Sequence, residues 1–474
     1  MGLAGWLEGI GSNVYCLLLY ALLALIIYYL FPVKRRPAVL LAESFLFYWL
    51  CDAGFFILIA AETLFTWQIG RRISEMVKTE GRGSAAKRSL RILLAAGIGM
   101  ILLVLCFFKY EHFFAETVGF SAATVMMPLG ISYYSFREIS YLADIYSGKR
   151  RAEESLLCYA AYVSFFPHMV SGPIARSEGF LERIREGLVW RPELASEGLY
   201  LVVSGLFKKV VIADRISPYV AAILAGYQDY PSIALWLALF LNAVYIYCDF
   251  AGYSEIAIGI TKLYGIPCES NFRRPYLSSD MKEFWHRWHI SLSSWLRDYV
   301  YIPLGGSRAG KLRTKCNVMI VFLLCGIWHG NTVTYLIWGA YHGMMNVLTK
   351  RKRSRIGRML GTALVFVYSM FGWLLFRSDT LRMTGGYLLH LFWGFELSYG
   401  AITASILPFT LDNTCAAYLL TILLMLVFLA FMEMEDEYCP ERAARRRAMR
   451  SGAMVLCILL LGVVGSGSFL YANY

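Results

Sequence analysis

Charge is scarce in this 474-residue sequence: Asp, Glu, Lys and Arg together supply 16% of it, against about 25% in an ordinary soluble domain. Apolar residues fill the deficit, at 58%, and that surplus has to face something other than water. The stretch from Val14 to Val33 holds no charged residue, and about 20 such residues cross a bilayer core. Similar runs recur to the C-terminus. A soluble globular class is excluded, and one multi-pass membrane domain is expected to fill residues 1–474. In such a chain a net charge of +12 marks cytoplasmic loops and no nucleic-acid partner.

Other absences narrow the chemistry. The eleven cysteines form no CxxC pair, and several lie inside apolar runs (Cys16, Cys106, Cys248, Cys325, Cys457). They read as buried thiols, with no disulfide framework and no metal site. No HExxH spacing is present, which argues against metal-dependent hydrolysis. No GxSxG pattern is present, which weakens a covalent serine mechanism. The start of the chain lacks the basic segment of a cleaved signal peptide, so the first apolar run reads as a retained membrane helix. No fixed-period repeat or low-complexity linker appears.

Basic clusters punctuate the apolar runs: Lys34 to Arg36, Arg71 to Arg91, Lys149 to Arg151, Arg308 to Lys315, Lys350 to Arg358 and Arg442 to Arg450. If all six are cytoplasmic, the chain crosses an even number of times between any two. The first run then leaves the N-terminus outside. A hairpin with Asp52 near its turn fits between Arg36 and Arg71. Leu90–Phe108 and Ala122–Tyr146 go out and return, as do Thr362–Phe376 and Ala416–Phe431. Ala453–Tyr471 leaves the C-terminus outside. Lys208, Lys209, Asp214 and Arg215 interrupt the run from Leu199 to Ile223, which predicts a broken or interfacial helix. The acidic stretch Glu433 to Glu437 reads as a solvated loop.

Two segments are not simple spans. Residues 280–301 mix tryptophan with charge, including Trp285, His286, Arg287, Trp288, His289, Trp295, Arg297 and Asp298, which suits a headgroup zone or a protein-lined cavity. Residues 317–349 are uncharged between basic clusters, so they must enter and come back. Each arm has about 12–16 residues, or roughly 18–24 Å of helix. The turn is Trp328-His329-Gly330-Asn331. Of the seven histidines, His112 and His390 read as hydrogen-bonded structural residues. His329, at the apex of that hairpin, is a functional candidate because ionisable groups at membrane depth are costly. A neutral imidazole there suits removal of a proton from an attacking hydroxyl, or a relay or ligand role in a transporter.

The blocks YCDFAGYSEIAIGITKLYGIP (247–267), NFRRPYLSSDMKEFWHRWHISLSSWLRDYVYIPLGG (271–306) and GIWHGNTVTYLIWGAYHG (326–343) strongly resemble the membrane-bound O-acyltransferase family. PLGISYYSFREISYLADIYSG (128–148) and FFPHMVSGPIAR (165–176) are similar to the same family, so the close match runs from Pro128 to Gly343. Within the family, the chain resembles the bacterial branch that acts in alginate O-acetylation and teichoic-acid D-alanylation.

The resemblance implies an all-α polytopic fold of about a dozen transmembrane and re-entrant helices around a central tunnel. It implies His329 as the catalytic residue and His289 as a second polar site that varies among members. Trp328 and Asn331 flank the first of these and are candidate substrate contacts. Trp285 and Trp288 either line a donor path or anchor at the interface. Arg297 and Asp298 are candidate contacts or a buried structural pair. Arg273 and Arg274 either meet donor phosphates or follow the positive-inside bias.

The function implied is transfer of an acyl group, acetyl first and D-alanyl second. The donor is a cytoplasmic thioester of coenzyme A or a carrier protein, with no bound cofactor. The acceptor is a hydroxyl of an extracytoplasmic polysaccharide, reached directly or through a secreted or membrane-anchored partner. The expected location is the bacterial plasma membrane. The rival from another class is a transporter or flippase of a lipid-linked or acylated substrate.

Overall fold

The computed structural model describes residues 13–79, 84–118, 126–170, 172–308, 310–349, 354–394, 396, 398–406 and 415–463. Its regular structure among those residues is helical throughout. The described residues divide into two compact units, those within 13–199 with 257–269, and those within 200–256 with 270–463.

The first unit opens with α1 (Val14–Leu30), whose first turn is capped by Asn13: its Oδ1 accepts from the Tyr15 amide at 2.9 Å. Pro37 at the start of α2 (Arg36–Asp52) fits a first turn whose N–H groups have no intrahelical partner. α3 (Phe56–Thr79) follows a short 3-10 turn, Ala53–Phe55, and Asp52 before that turn accepts from the Leu129 amide at 2.8 Å. α4 (Ser84–Val118), α5 (Ile131–Ser147), α6 (Leu156–Val163) and α7 (Phe180–Glu186) follow. α5 is bounded by Gly130 and Gly148, both left-handed at φ 68° and 77°, a conformation that favours glycine.

α5 is buried on all sides, and Arg137 and Glu138 are 0% exposed. Arg137 Nη1 donates to the carbonyls of Tyr162 and Val163 at 3.2 and 3.0 Å, at the negative end of the α6 dipole. Thr66 Oγ1 donates to Glu138 at 3.1 Å. By contrast, large aliphatic residues of α1 and α4, among them Leu22 and Leu103, are exposed. That inversion of the soluble pattern is what lipid requires. Segments 33–79, 87–110, 232–263 and 355–377 are long and apolar enough to cross a membrane.

α8 (Pro192–Leu206), in the second unit from Tyr200 onward, continues through a π-helical stretch, Phe207–Ala213, into α9 (Asp214–Ala225). The interruption expected at Lys208 and Lys209 is therefore a widening of the helix. Neither lysine seeks an interface. Lys208 pairs with Glu255 and, at 3.7 Å, with Glu433. Lys209 sits 2.7 Å from Asp249 and 2.8 Å from Asp214. Asp249 and Glu255 lie on α10 (Ser232–Leu263), a 32-residue helix that the count of basic clusters passed over. Gly205 meets it so closely that a Cβ would lie 2.3 Å from the Gly252 carbonyl oxygen.

The unit then runs through α11 (Met281–Arg287), α12 (Ile290–Leu296), α13 (Lys311–His329), α14 (Val333–Leu348), α15 (Arg355–Arg377), α16 (Leu381–Trp393), α17 (Tyr399–Ile406), α18 (Cys415–Tyr438), α19 (Pro440–Arg445) and α20 (Arg447–Leu461). Glu433 to Glu437 is not a loop. It ends α18, where Glu435 is buried and sits 2.6 Å from Arg450 and 3.2 Å from Arg442 and Arg446. The following arginines fold back as α19 and α20 and neutralise it. The end of the last expected span, residues 464–471, lies outside the described residues.

Candidate active site

Residues 317–349 form the expected hairpin, with α13 and α14 antiparallel. The first arm is longer than expected: Lys311 to Lys315 are already helical, giving 19 residues, roughly 28 Å. Glycines let the arms touch. A Cβ on Gly326 would lie 2.3 Å from the Tyr335 carbonyl oxygen, and one on Gly339 would lie 2.4 Å from that of Phe322. Small residues at facing positions permit backbone contact between membrane helices. Gly330 leaves the helix in an extended conformation, and the Tyr335 ring fills the place its Cβ would take, at 2.2 Å.

His329 is the last residue of α13 and is 3% exposed. Three aromatic rings box its imidazole: Trp328 at 4.8 Å, Trp338 of α14 at 5.0 Å and Phe376 of α15 at 5.2 Å. The edge-on geometry holds the ring by its faces and edges. An imidazole placed this way can take a proton from a hydroxyl brought beside it.

The second histidine comes from the Trp-rich segment. Asp280 caps α11, accepting from the Lys282 and Glu283 amides at 3.0 Å. Trp288 ends it, packed 4.6 Å from Trp373 and 5.0 Å from Phe272. His289 then turns the chain in a left-handed conformation, φ 43°, which costs a non-glycine residue about 1–3 kcal/mol. Asn271 secures the turn, its carbonyl accepting from the Ile290 amide at 2.9 Å and its Oδ1 from the Ser291 amide at 3.0 Å. The His289 ring is 1% exposed, and its nitrogens have no hydrogen-bond partner. It packs 4.7 Å from Phe250 and 6.2 Å from Trp328. Trp328 therefore touches both imidazoles.

A cavity of about 550 Å³ is lined from α11, α12 and α13. Trp285, Phe322 and Cys325 form apolar wall, and Lys282, His286 and Arg297 bring basic side chains to it. Cys325 lies one turn before His329 on α13.

Not every candidate joins the cluster. Asn331 is exposed at the hairpin turn. Arg297 and Asp298 do pair, at 2.8 Å, but their side chains are 58% and 27% exposed, so this is not the buried pair expected. They occupy a short π-helical turn, Arg297–Tyr301, that presents them outward. Arg273 is exposed. Arg274 pairs with Glu437 at 3.0 Å, a carboxylate shared with Arg287 at 2.8 Å. Glu283 completes that network 2.7 Å from Arg287. Burial pushes the Glu283 carboxyl up, but hydrogen bonds from Ser279 and the Arg287 charge outweigh it and leave it below its ordinary value. His390 has the expected structural bond, Nε2 lying 2.9 Å from the Tyr230 carbonyl. The side chain of His112 lies outside the described residues.

Residues 92–357 match the membrane-bound O-acyltransferase family. The chain is 36% identical over 384 residues to the probable alginate O-acetylase AlgI of Azotobacter vinelandii, covering 78% of this chain and 75% of the relative. The chain belongs to the membrane-bound O-acyltransferase family. It is also 31% identical over 333 residues to the peptidoglycan O-acetyltransferase of Helicobacter pylori, with 62% and 63% covered. To the teichoic acid D-alanyltransferase of Bacillus subtilis it is 31% identical over 228 residues, with 46% and 57% covered. The protein is a multi-pass membrane O-acyltransferase.

The acyltransferase's cluster also contains residues the sequence did not single out. Trp338, His342, Trp373 and Phe376 close the space around Trp285 and His329. The signal available was helical spacing: Trp338 and His342 are four apart on α14, and Trp373 and Phe376 are three apart on α15, so each pair shares a face.

Proposed function

We propose that this acyltransferase moves an acetyl group from a cytoplasmic thioester, of coenzyme A or a carrier protein, to a hydroxyl of an extracytoplasmic polysaccharide. A secreted or membrane-anchored partner completes the relay where the polymer cannot enter. The observation that carries this reading is the His329 imidazole, buried in an aromatic box at a helix end, one turn after Cys325, which lines a cavity with basic residues around it. His329 takes the hydroxyl proton as the oxygen bonds to the acyl carbon. The carbon–sulfur bond breaks, and the leaving thiolate receives the proton from the imidazolium. An ester and a free thiol result, and the imidazole is regenerated. His289, across Trp328, is suited to hold the acceptor or the polarised carbonyl.

Lys282 at the cavity is better placed for donor phosphates than Arg274, paired with Glu437, or Arg297, paired with Asp298. Acetyl is favoured because the relatives with the widest coverage are O-acetylases by name. D-alanyl transfer is the second reading, motivated by the teichoic acid relative. The charge rule puts both termini outside a bacterial plasma membrane.

The test is acceptor-dependent release of thiol from labelled acetyl-coenzyme A by purified protein. Loss of a general base lowers such a rate by about 10²–10⁴, so His329→Ala should bring it near background. An unchanged rate in a folded variant removes the assignment.

A further inference from the structure

His342 has no part in the scheme above, yet it is among the most enclosed polar groups of the second unit. It is 0% exposed, and both ring nitrogens lack a hydrogen-bond partner. Buried polar groups are nearly always paired, so such a residue calls for an explanation. Its surroundings are specific. The ring packs against Trp338 at 4.8 Å, Trp285 at 5.2 Å and Trp373 at 6.0 Å. α15 presents glycine opposite it: a Cβ on Gly372 would lie 2.6 Å from His342 Nε2.

The position relates two features already described. Trp285 forms wall of the 550 Å³ cavity on one side and touches His342. Trp338 touches His342 and also His329. The sequence of rings is thus cavity wall, His342, Trp338, His329. The indole nitrogens of Trp285 and Trp338 are also buried without partners. Three adjacent polar groups, in mutual contact, therefore lie without hydrogen-bond partners among the described residues between the cavity wall and the reacting imidazole. A purely structural core would have placed apolar or mutually bonded groups there.

We propose that His342 is a donor-binding residue, hydrogen-bonding with Trp285 and Trp338 to the amide-bearing arm and thioester of the acyl donor as it reaches from the cavity to His329. The inference rests on the acyl-transfer reading. Both candidate donors carry the same amide-containing thiol arm, so the chemistry recognised is common to them. An amide offers both a donor and an acceptor, as a neutral imidazole does.

The experiment is equilibrium binding of a thioether analogue of acetyl-coenzyme A, which cannot transfer its acyl group, to full-length protein in detergent. His342→Leu should weaken binding tenfold or more. His342→Gln, which keeps a donor and an acceptor, should recover part of the loss. The thermal midpoint of His342→Leu should hold or rise, because an unpaired polar group has been replaced by an apolar one. Gly372→Ala, which displaces the imidazole, should weaken binding in the same direction. Unchanged analogue affinity in His342→Leu overturns the proposal. So does a loss matched by a fallen midpoint that His342→Gln does not relieve, which marks a structural residue. Acyl transfer that survives His329→Ala instead defeats the broader functional reading, whatever the His342 variants do.

Discussion

The Trp338 indole stands edge-on to the His329 imidazole, 5.0 Å away at an interplanar angle of 83°. That contact exists only because α13 and α14 meet at their backbones. Gly339, one residue after Trp338, faces the Phe322 carbonyl. Gly339→Ala should push the arms apart, destabilise the protein by about 1–3 kcal/mol through overpacking and lower acyl transfer. The check is a thermal midpoint measured alongside thiol release. A variant that matches wild type in both would show that the arms do not need this approach.

Lys209 holds two carboxylates inside the second unit. Lys209→Met removes the cation that lies 2.8 Å from Asp214 and 2.7 Å from Asp249. Breaking a buried pair in this way costs about 3–5 kcal/mol. Adding Asp214→Asn and Asp249→Asn to that change should recover much of the loss. Denaturation of the single and triple variants in the same detergent decides it, and equal instability in both would contradict the account.

His289 combines a left-handed backbone with a buried ring, so its two roles can be separated. Asn tolerates that backbone region better than most residues. His289→Asn should therefore keep the fold and alter turnover, whereas His289→Val should lose stability as well. If His289→Asn turns over like wild type, the imidazole is dispensable and only the turn matters.

Glu283 supplies a pH-dependent contribution. Its carboxyl lies below the ordinary 4.5 in the folded protein. A depressed value favours folding while the group is ionised in both states, and this contribution fades as pH falls from about the unfolded value through the folded one. The midpoint difference between wild type and Glu283→Gln should be largest near neutrality and shrink on acidification below about 4.5. A difference constant with pH would assign the effect to packing.

The hairpin carrying His329 was legible because its boundaries are written in charge: uncharged residues between two basic clusters have to return to the side they left. The aromatic box was not, because Trp338 and Phe376 lie 9 and 47 residues beyond His329 and local spacing does not show which helix faces meet. Lys208 and Lys209 pointed to a disrupted helix for the same reason. Beside the nearby Asp214, their partners Asp249 and Glu255 are about 40–50 residues distant, so paired charges looked like bare ones. α10 was hidden because the charge count sees only elements that carry a basic cluster at an end.

Arg137 and Glu138, adjacent on α5 and wholly enclosed, bear on how the protein is made. A lone helix with two neighbouring charges is costly to place in lipid. Thr66 on α3 and the carbonyls at the end of α6 are what make α5 tolerable. α5 is therefore an element that lipid accepts only once α3 and the end of α6 are packed against it.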